Sequence, residues 1–139
     1  MRERVVPALV DWCWDPNAPG AVLICVDAGG ASLALRSHPD DDDIRTVVLH
    51  WPDAVAAVMA PPNDEGLHSH PLYTVGLSDL TWLGLVEHST WLPRGVATTD
   101  GLRHYIAPLK ECVVEVLASN VVMTRNEASP VQAVAERSA

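Results

Sequence analysis

The stretch PPNDEGLHSHPLYTVGL, residues 61–77, puts His68 and His70 one residue apart, with Glu65 before them and Tyr73 after. On an extended chain, side chains at i and i+2 point to one side, so two imidazoles so spaced could ligate one divalent metal. The third ligand would come from Glu65, Glu87, His88 or His104. The plainer reading is local, since Pro71 biases His70 toward extended backbone, where an imidazole can simply bond the neighbouring main chain. Proton transfer at neutral pH is a second chemistry open to these residue types, because it pairs a histidine with a carboxylate. The catalytic candidates are His70 and His104, with Glu65, Glu87 or Glu115 as the acid and Tyr73 close by.

These side chains interrupt apolar runs that read as strands. Glu87-His88 breaks LGLVEHSTWL, His104-Tyr105 opens RHYIAPLKECVVEVLA, and Glu111 and Glu115 lie inside it. If that last run is one strand, Tyr105, Glu111 and Glu115 share a face, and His104 shares the other with Cys112. A carboxylate on a covered face is costly unless paired, which makes Glu115 a site candidate there. Of the five tryptophans, Trp82 and Trp91 could join Tyr105 as an aromatic wall for a ligand; the bland reading makes each a core or rim anchor. There is no G-x-S-x-G elbow at Ser69, no phosphate-binding loop and no dinucleotide glycine pattern.

The supporting elements follow from turn signals and alternation. AVLICVDAGGASLALRS reads as a hairpin around Gly29-Gly30, pairing Val26 with Leu33 and Ile24 with Leu35. VVPALVDWCW reads as a strand before it. TVVLHWPDAVAAVMAPP reads as a second hairpin with its tip at Pro52-Asp53-Ala54, or else as a strand followed by a helix from Pro52 to Met59. The four aspartates at 40–43 lack the spaced ligands and glycine of a calcium loop and read as a solvated turn. Pro108 implies an edge strand or a bulge. Ser129, Pro130 and Gln132 form a capping box, predicting a short helix or tail over 129–139. The expected architecture is a single all-β domain over residues 1–128, a β-sandwich or small barrel, with that short C-terminal helix.

Bulk composition narrows the function classes. A chain of 139 residues with 48% hydrophobic residues buries roughly two-thirds of its unfolded surface as one domain. A net charge of −9 excludes nucleic acid and anionic membrane as partners, since both need basic surface. Three scattered cysteines without CxxC spacing read as reduced thiols, and MRERVVPALV is too short and too broken for a signal peptide, so the expected location is the cytoplasm.

The His-x-His spacing invites comparison with cupins, small metal-binding barrels, but Tyr73 and Thr74 stand where a cupin carries its carboxylate. More of the chain, residues 61–118, resembles a group of small bacterial β-rich proteins with no assigned reaction. Their pattern runs Pro-Asn-x-acid, His-Pro-Leu-Tyr-x-x-Gly-Leu, Ser-x-Trp, then His-Tyr-Ile and an acid. Pro62, Asn63, Glu65, His70, Tyr73, Gly76, Ser89, Trp91, His104, Tyr105 and Glu115 match it. Lys110-Glu111 stands in for the group's His-Asp, Val116 replaces its cysteine, and His68 lies outside the pattern. The resemblance implies a shared fold and a shared site centred on His70 and Tyr73 rather than His68. The function expected is a non-catalytic module that binds a small molecule or a protein partner, itself a homodimer through an edge strand or a tryptophan-bearing face. The alternative is a small enzyme of bacterial secondary metabolism with a His/Glu/Tyr pocket. No cofactor is expected, apart from the divalent metal that a cupin-like site would hold at His68 and His70.

Overall fold

A computed structural model of the chain describes residues 2–27, 29–91 and 101–130. Among the described residues the apolar runs form nine strands: β1 (Arg4–Pro7), β2 (Val22–Val26), β3 (Gly30–Leu35), β4 (Thr46–Trp51), β5 (Ala56–Ala60), β6 (Gly84–Glu87), β7 (Arg103–Pro108), β8 (Val113–Ala118) and β9 (Val122–Asn126). Three 3-10 turns, η1 (Leu67–Ser69), η2 (Tyr73–Val75) and η3 (Leu77–Asp79), lie between β5 and β6. The strands make two antiparallel sheets, ordered β1-β6-β7-β8-β5 and β2-β3-β4-β9. The all-β class expected from the sequence is present, and the sheets are separate rather than one closed barrel.

Strand alternation accounts for how the sheets are held. Leu33, Leu35, Val47, Leu49 and Trp51 from β3 and β4 share one buried cluster with Tyr105, Ala107, Val114 and Val116 from β7 and β8. Burying each large apolar side chain contributes about 1.5–3 kcal/mol, so this cluster is the main source of stability. The outer face of the five-stranded sheet is covered separately. Val5, Val86, Ile106 and Val113 pack there against Leu72 and Leu77 from the 3-10 segment. That segment crosses β1 so closely that a side chain at Gly76 would collide with the Val5 carbonyl.

Several sequence expectations are corrected. The first hairpin closes three residues earlier in β3 than its glycine pair suggested, with Val26 opposite Gly30 and Leu23 opposite Leu33. Gly30 is therefore the first residue of a strand rather than a turn corner. Its φ of 77° is left-handed, and a Cβ there would overlap the Trp51 carbonyl and the Pro52 backbone. β4 and β5 form neither a hairpin nor a strand and helix, because they belong to different sheets and residues 52–55 cross between them. The strand expected over VVPALVDWCW stops at Pro7, leaving only a bridge from Trp14 to Ser37. Pro108 ends an interior strand, β7, opposite Val113, so it sits neither on an edge strand nor in a bulge. The long C-terminal run folds back between Pro108 and Val113, which reverses the parity of every residue after the turn. The helix expected over 129–139 lies outside the described residues beyond Pro130.

The aspartate turn is tied down rather than simply solvated. The buried Arg125 guanidinium bonds Asp41 Oδ2 at 2.5 Å and the Asp43 carbonyl at 3.1 Å, and lies 5.0 Å from the Trp12 ring centre. Hydrogen bonds from the Arg45 side chain and backbone hold the Asp43 carboxyl down to about 2. No helix among the described residues is long and apolar enough to cross a membrane.

Gly30→Ala is expected to destabilise the protein by at least about 2 kcal/mol, combining left-handed strain with a backbone collision. Urea unfolding followed by tryptophan fluorescence measures it, and a change below half that value would contradict the close approach of Gly30 to Trp51.

Candidate functional site

The reversal of parity at residues 109–112 decides where the chemistry sits. His104 lies opposite Leu117 and Ile106 opposite Glu115, so His104 and Glu115 are diagonal neighbours on the outer face of the five-stranded sheet. Tyr105, next in sequence to His104, points the other way and packs in the core 5.9 Å from Trp51. The 3-10 segment delivers the remaining histidine. η1 is followed by His70, whose extended backbone (φ −69°, ψ 137°) before Pro71 turns its ring onto the sheet.

Glu115 then receives two imidazoles. His104 Nε2 lies 2.7 Å from Glu115 Oε1, and His70 Nε2 lies 3.3 Å from Oε2. The network fixes the ring protons. The Leu72 backbone N–H donates to His70 Nδ1 at 3.0 Å, so the proton of neutral His70 is on Nε2 and is donated to Glu115. An ionised Glu115 can only accept, so His104 also donates from Nε2, and in the neutral ring its Nδ1 accepts the Ser89 hydroxyl at 2.6 Å. Ser89 is placed by a sharp turn at the end of β6, where His88 adopts a left-handed φ of 57°. Its Oγ accepts the Trp91 backbone N–H at 3.1 Å. The Trp91 ring meets that of His104 nearly edge-on, at 5.0 Å and 73°. The result is one hydrogen-bonded line: Ser89, His104, Glu115, His70.

Exposure divides this line. The His104 and His70 side chains are 3% and 9% exposed, while Glu115 keeps 23% of its side-chain surface. It opens into a cleft of about 500 Å³. Pro61, Pro71, Leu72 and Trp91 supply the apolar lining of that cleft, and Glu3, Ser69 and Thr90 supply further polar groups. Burial raises the Glu115 pKa, but the hydrogen bonds and charges of His104 and then His70 together outweigh it, leaving the carboxyl below its ordinary value.

The structure thus brings together His70, His104, Glu115 and Trp91 of the sequence-predicted residues and disperses the others. Glu65 is exposed on the loop before η1, and Glu87 is exposed at the end of β6, where it pairs with Arg4 at 3.1 Å. Tyr73 lies on η2 outside the cleft lining. Trp82 donates its indole N–H to the Trp14 carbonyl at 3.0 Å and packs against the core, so neither it nor Tyr105 forms a ligand wall. His68 and His70 do not share a strand face, because His68 lies within the 3-10 turn η1, exposed, and His70 follows that turn. With its Nδ1 accepting from Leu72, neutral His70 keeps no lone pair on Nε2 for a metal. Among the described residues no group of three or more His, Cys, Asp or Glu side chains is placed to hold a metal ion.

Sequence reasoning missed Ser89 as the partner of His104, and it missed Glu3 and Thr90. A signal existed for Ser89: a hydroxyl two residues before Trp91 can accept that residue's N–H in a local turn. Glu3 carried none, since it reaches the cleft from the far end of the chain, where it accepts the Thr90 N–H at 2.9 Å.

Because the folded carboxyl titrates below the ordinary glutamate value of 4.5, its ionised form stabilises the fold fully above that value. The contribution is lost as pH falls through the lower folded pKa. The stability difference between wild type and Glu115→Gln is therefore expected to persist from neutral pH down to the ordinary glutamate range and to collapse below it. Urea midpoints measured from pH 7 to about pH 3 test this, and a difference that vanished above the ordinary glutamate value would contradict it.

Compared with protein-family models, curated proteins and solved structures, the chain matches none.

Proposed function

We propose that this chain is a non-catalytic binding module, a bacterial cytoplasmic two-sheet sandwich that holds a small molecule on the outer face of its five-stranded sheet. One observation carries the reading: a partly open carboxylate, Glu115, is oriented by two nearly sealed histidines at the wall of a cleft of about 500 Å³. That volume lies in the range of small-molecule sites, and an apolar lining with a few convergent polar groups is their usual chemistry. Holding a half-buried charge in a fixed orientation costs stability that packing alone would not require, which favours a recognition role. The resemblance to small bacterial proteins supports the same place, since Ser89, Trp91, His104, Glu115 and His70 all belong to the shared pattern. Fragment screening by protein-observed NMR tests the proposal. Shifts are expected to concentrate on the Trp91 indole and on His70 and His104, and fragments that gathered anywhere else would refute it.

A second reading, a small enzyme, is favoured by the line from Ser89 to Glu115. The Ser89 hydroxyl has a base at 2.6 Å, and that base has a carboxylate at 2.7 Å, the order found around activated hydroxyl nucleophiles. A fluorophosphonate separates the two readings, since an activated Ser89 Oγ would displace fluoride and gain the phosphonyl mass at that residue. An unmodified Ser89 is the result expected of the binding module.

The homodimer is assigned to β5. It is an edge strand, with Val55, Val58 and Met59 exposed on or beside it, and residues 54–63 carry no charge in a chain of net charge −9. Two copies can pair there without bringing like charges together. Light scattering is expected to show a dimer that Met59→Lys converts to monomer, and a wild-type monomer at about 100 μM, a weak-affinity concentration, would refute the pairing.

A further inference from the structure

We infer that the ligand of the Glu115 cleft is a cationic amine, a primary or secondary ammonium carried on a flat apolar body; this rests on the small-molecule reading above. The histidine and Ser69 donors of the cleft's polar wall are already engaged. The Nε2 protons of both histidines go to Glu115, and their Nδ1 atoms accept from Leu72 and Ser89. The Ser69 hydroxyl donates to the Gly66 carbonyl at 2.8 Å. What remains open is acceptor capacity, beside a Thr90 hydroxyl that can accept as well as donate. A carboxylate offers about four lone-pair sites, and two histidines occupy only two of those on Glu115. Glu3 adds a second carboxylate to the same cleft, with one oxygen engaged by the Thr90 N–H. A ligand that fits must therefore bring N–H or O–H donors.

Charge narrows donors to cations. No lysine or arginine lines the cleft among the described residues, its two acids are Glu3 and Glu115, and the whole chain carries −9. An ammonium would form charge-assisted hydrogen bonds to Glu115, stronger than those of a neutral hydroxyl. An anion would meet two carboxylates with no lysine or arginine among the described lining residues. The apolar half of the ligand follows from the rest of the lining: Pro61, Pro71 and the Trp91 ring give flat surfaces suited to an aromatic or planar aliphatic body. Trp91 also supplies a ring that attracts a cation held nearby.

Three probes of nearly equal size, benzylamine, benzyl alcohol and benzoate, test the inference by NMR titration of the wild-type protein at pH 7 and low salt. Benzylamine, charged at that pH, is expected to bind about tenfold more tightly than benzyl alcohol, with the Trp91 indole and His104 shifting, and benzoate is expected not to bind. Added salt should weaken benzylamine and leave the alcohol unchanged. Glu115→Gln should remove most of the preference and Glu3→Gln part of it. The salt series needs no variant, so it decides the matter even if Glu115→Gln fails to fold. Equal or tighter binding of the alcohol or of benzoate at these residues would overturn the amine assignment and leave the small-molecule reading standing. No shift at the cleft with any of the three probes or with the fragment set would overturn both.

Discussion

Covering both faces of the five-stranded sheet is the constraint on which the rest of this structure depends. A sheet with apolar residues on both sides must find two partners. The inner face meets β3 and β4, and the outer face meets Leu72 and Leu77 from a segment whose regular structure is three 3-10 turns. That segment is short, so it covers Val5, Val86, Ile106 and Val113 and leaves the His104 end of the sheet to the cleft. The candidate site lies at the margin of the cover, where His70 reaches the sheet and Glu115 stays partly open.

The geometry of Glu115 follows from the same arrangement. Its oxygens receive one histidine from the sheet itself and one from the cover, so the hydrogen bonds at 2.7 Å and 3.3 Å also join the two layers. The site is thereby part of the fold's own fastening. The Arg125 clamp works in the same manner at the other sheet, where a buried guanidinium binds the aspartate turn to β9. In both places a charge that would be expensive alone is stabilised by partners distant in sequence.

Much of this was legible in the sequence, and the failures share a physical cause. Period-2 alternation holds within β4, whose Val47, Leu49 and Trp51 all face the core, since side chains on a strand have no other choice. It could not say that β4 and β5 belong to different sheets, because alternation carries no information about pairing partners. Gly29-Gly30 looked like a turn on local grounds, but the demand for a missing side chain at Gly30 comes from Trp51 and Pro52, distant in sequence. The largest error, placing Tyr105 with Glu115, came from counting through the turn at 109–112 as if it were strand. One misplaced turn exchanges inside for outside for every residue beyond it. His70, His104, Glu115 and Trp91 were recoverable because polar or bulky residues in apolar runs need an explanation. Glu3 was not, because only the fold brings the first strand to the cleft.

β7 is a single layer of backbone with His104 on one side and Tyr105 on the other, one facing the cleft and one wedged against Trp51. Interiors are close-packed, so a change in volume beneath such a strand is transmitted through it rather than absorbed. Substitutions at Tyr105 or Val116 would shift the strand and alter the spacing of His104 and Glu115 on its far side. Descendants of this sequence could thus acquire new ligand preferences while every group facing the ligand stays the same. In such a lineage the record of adaptation would be written in the hydrophobic core.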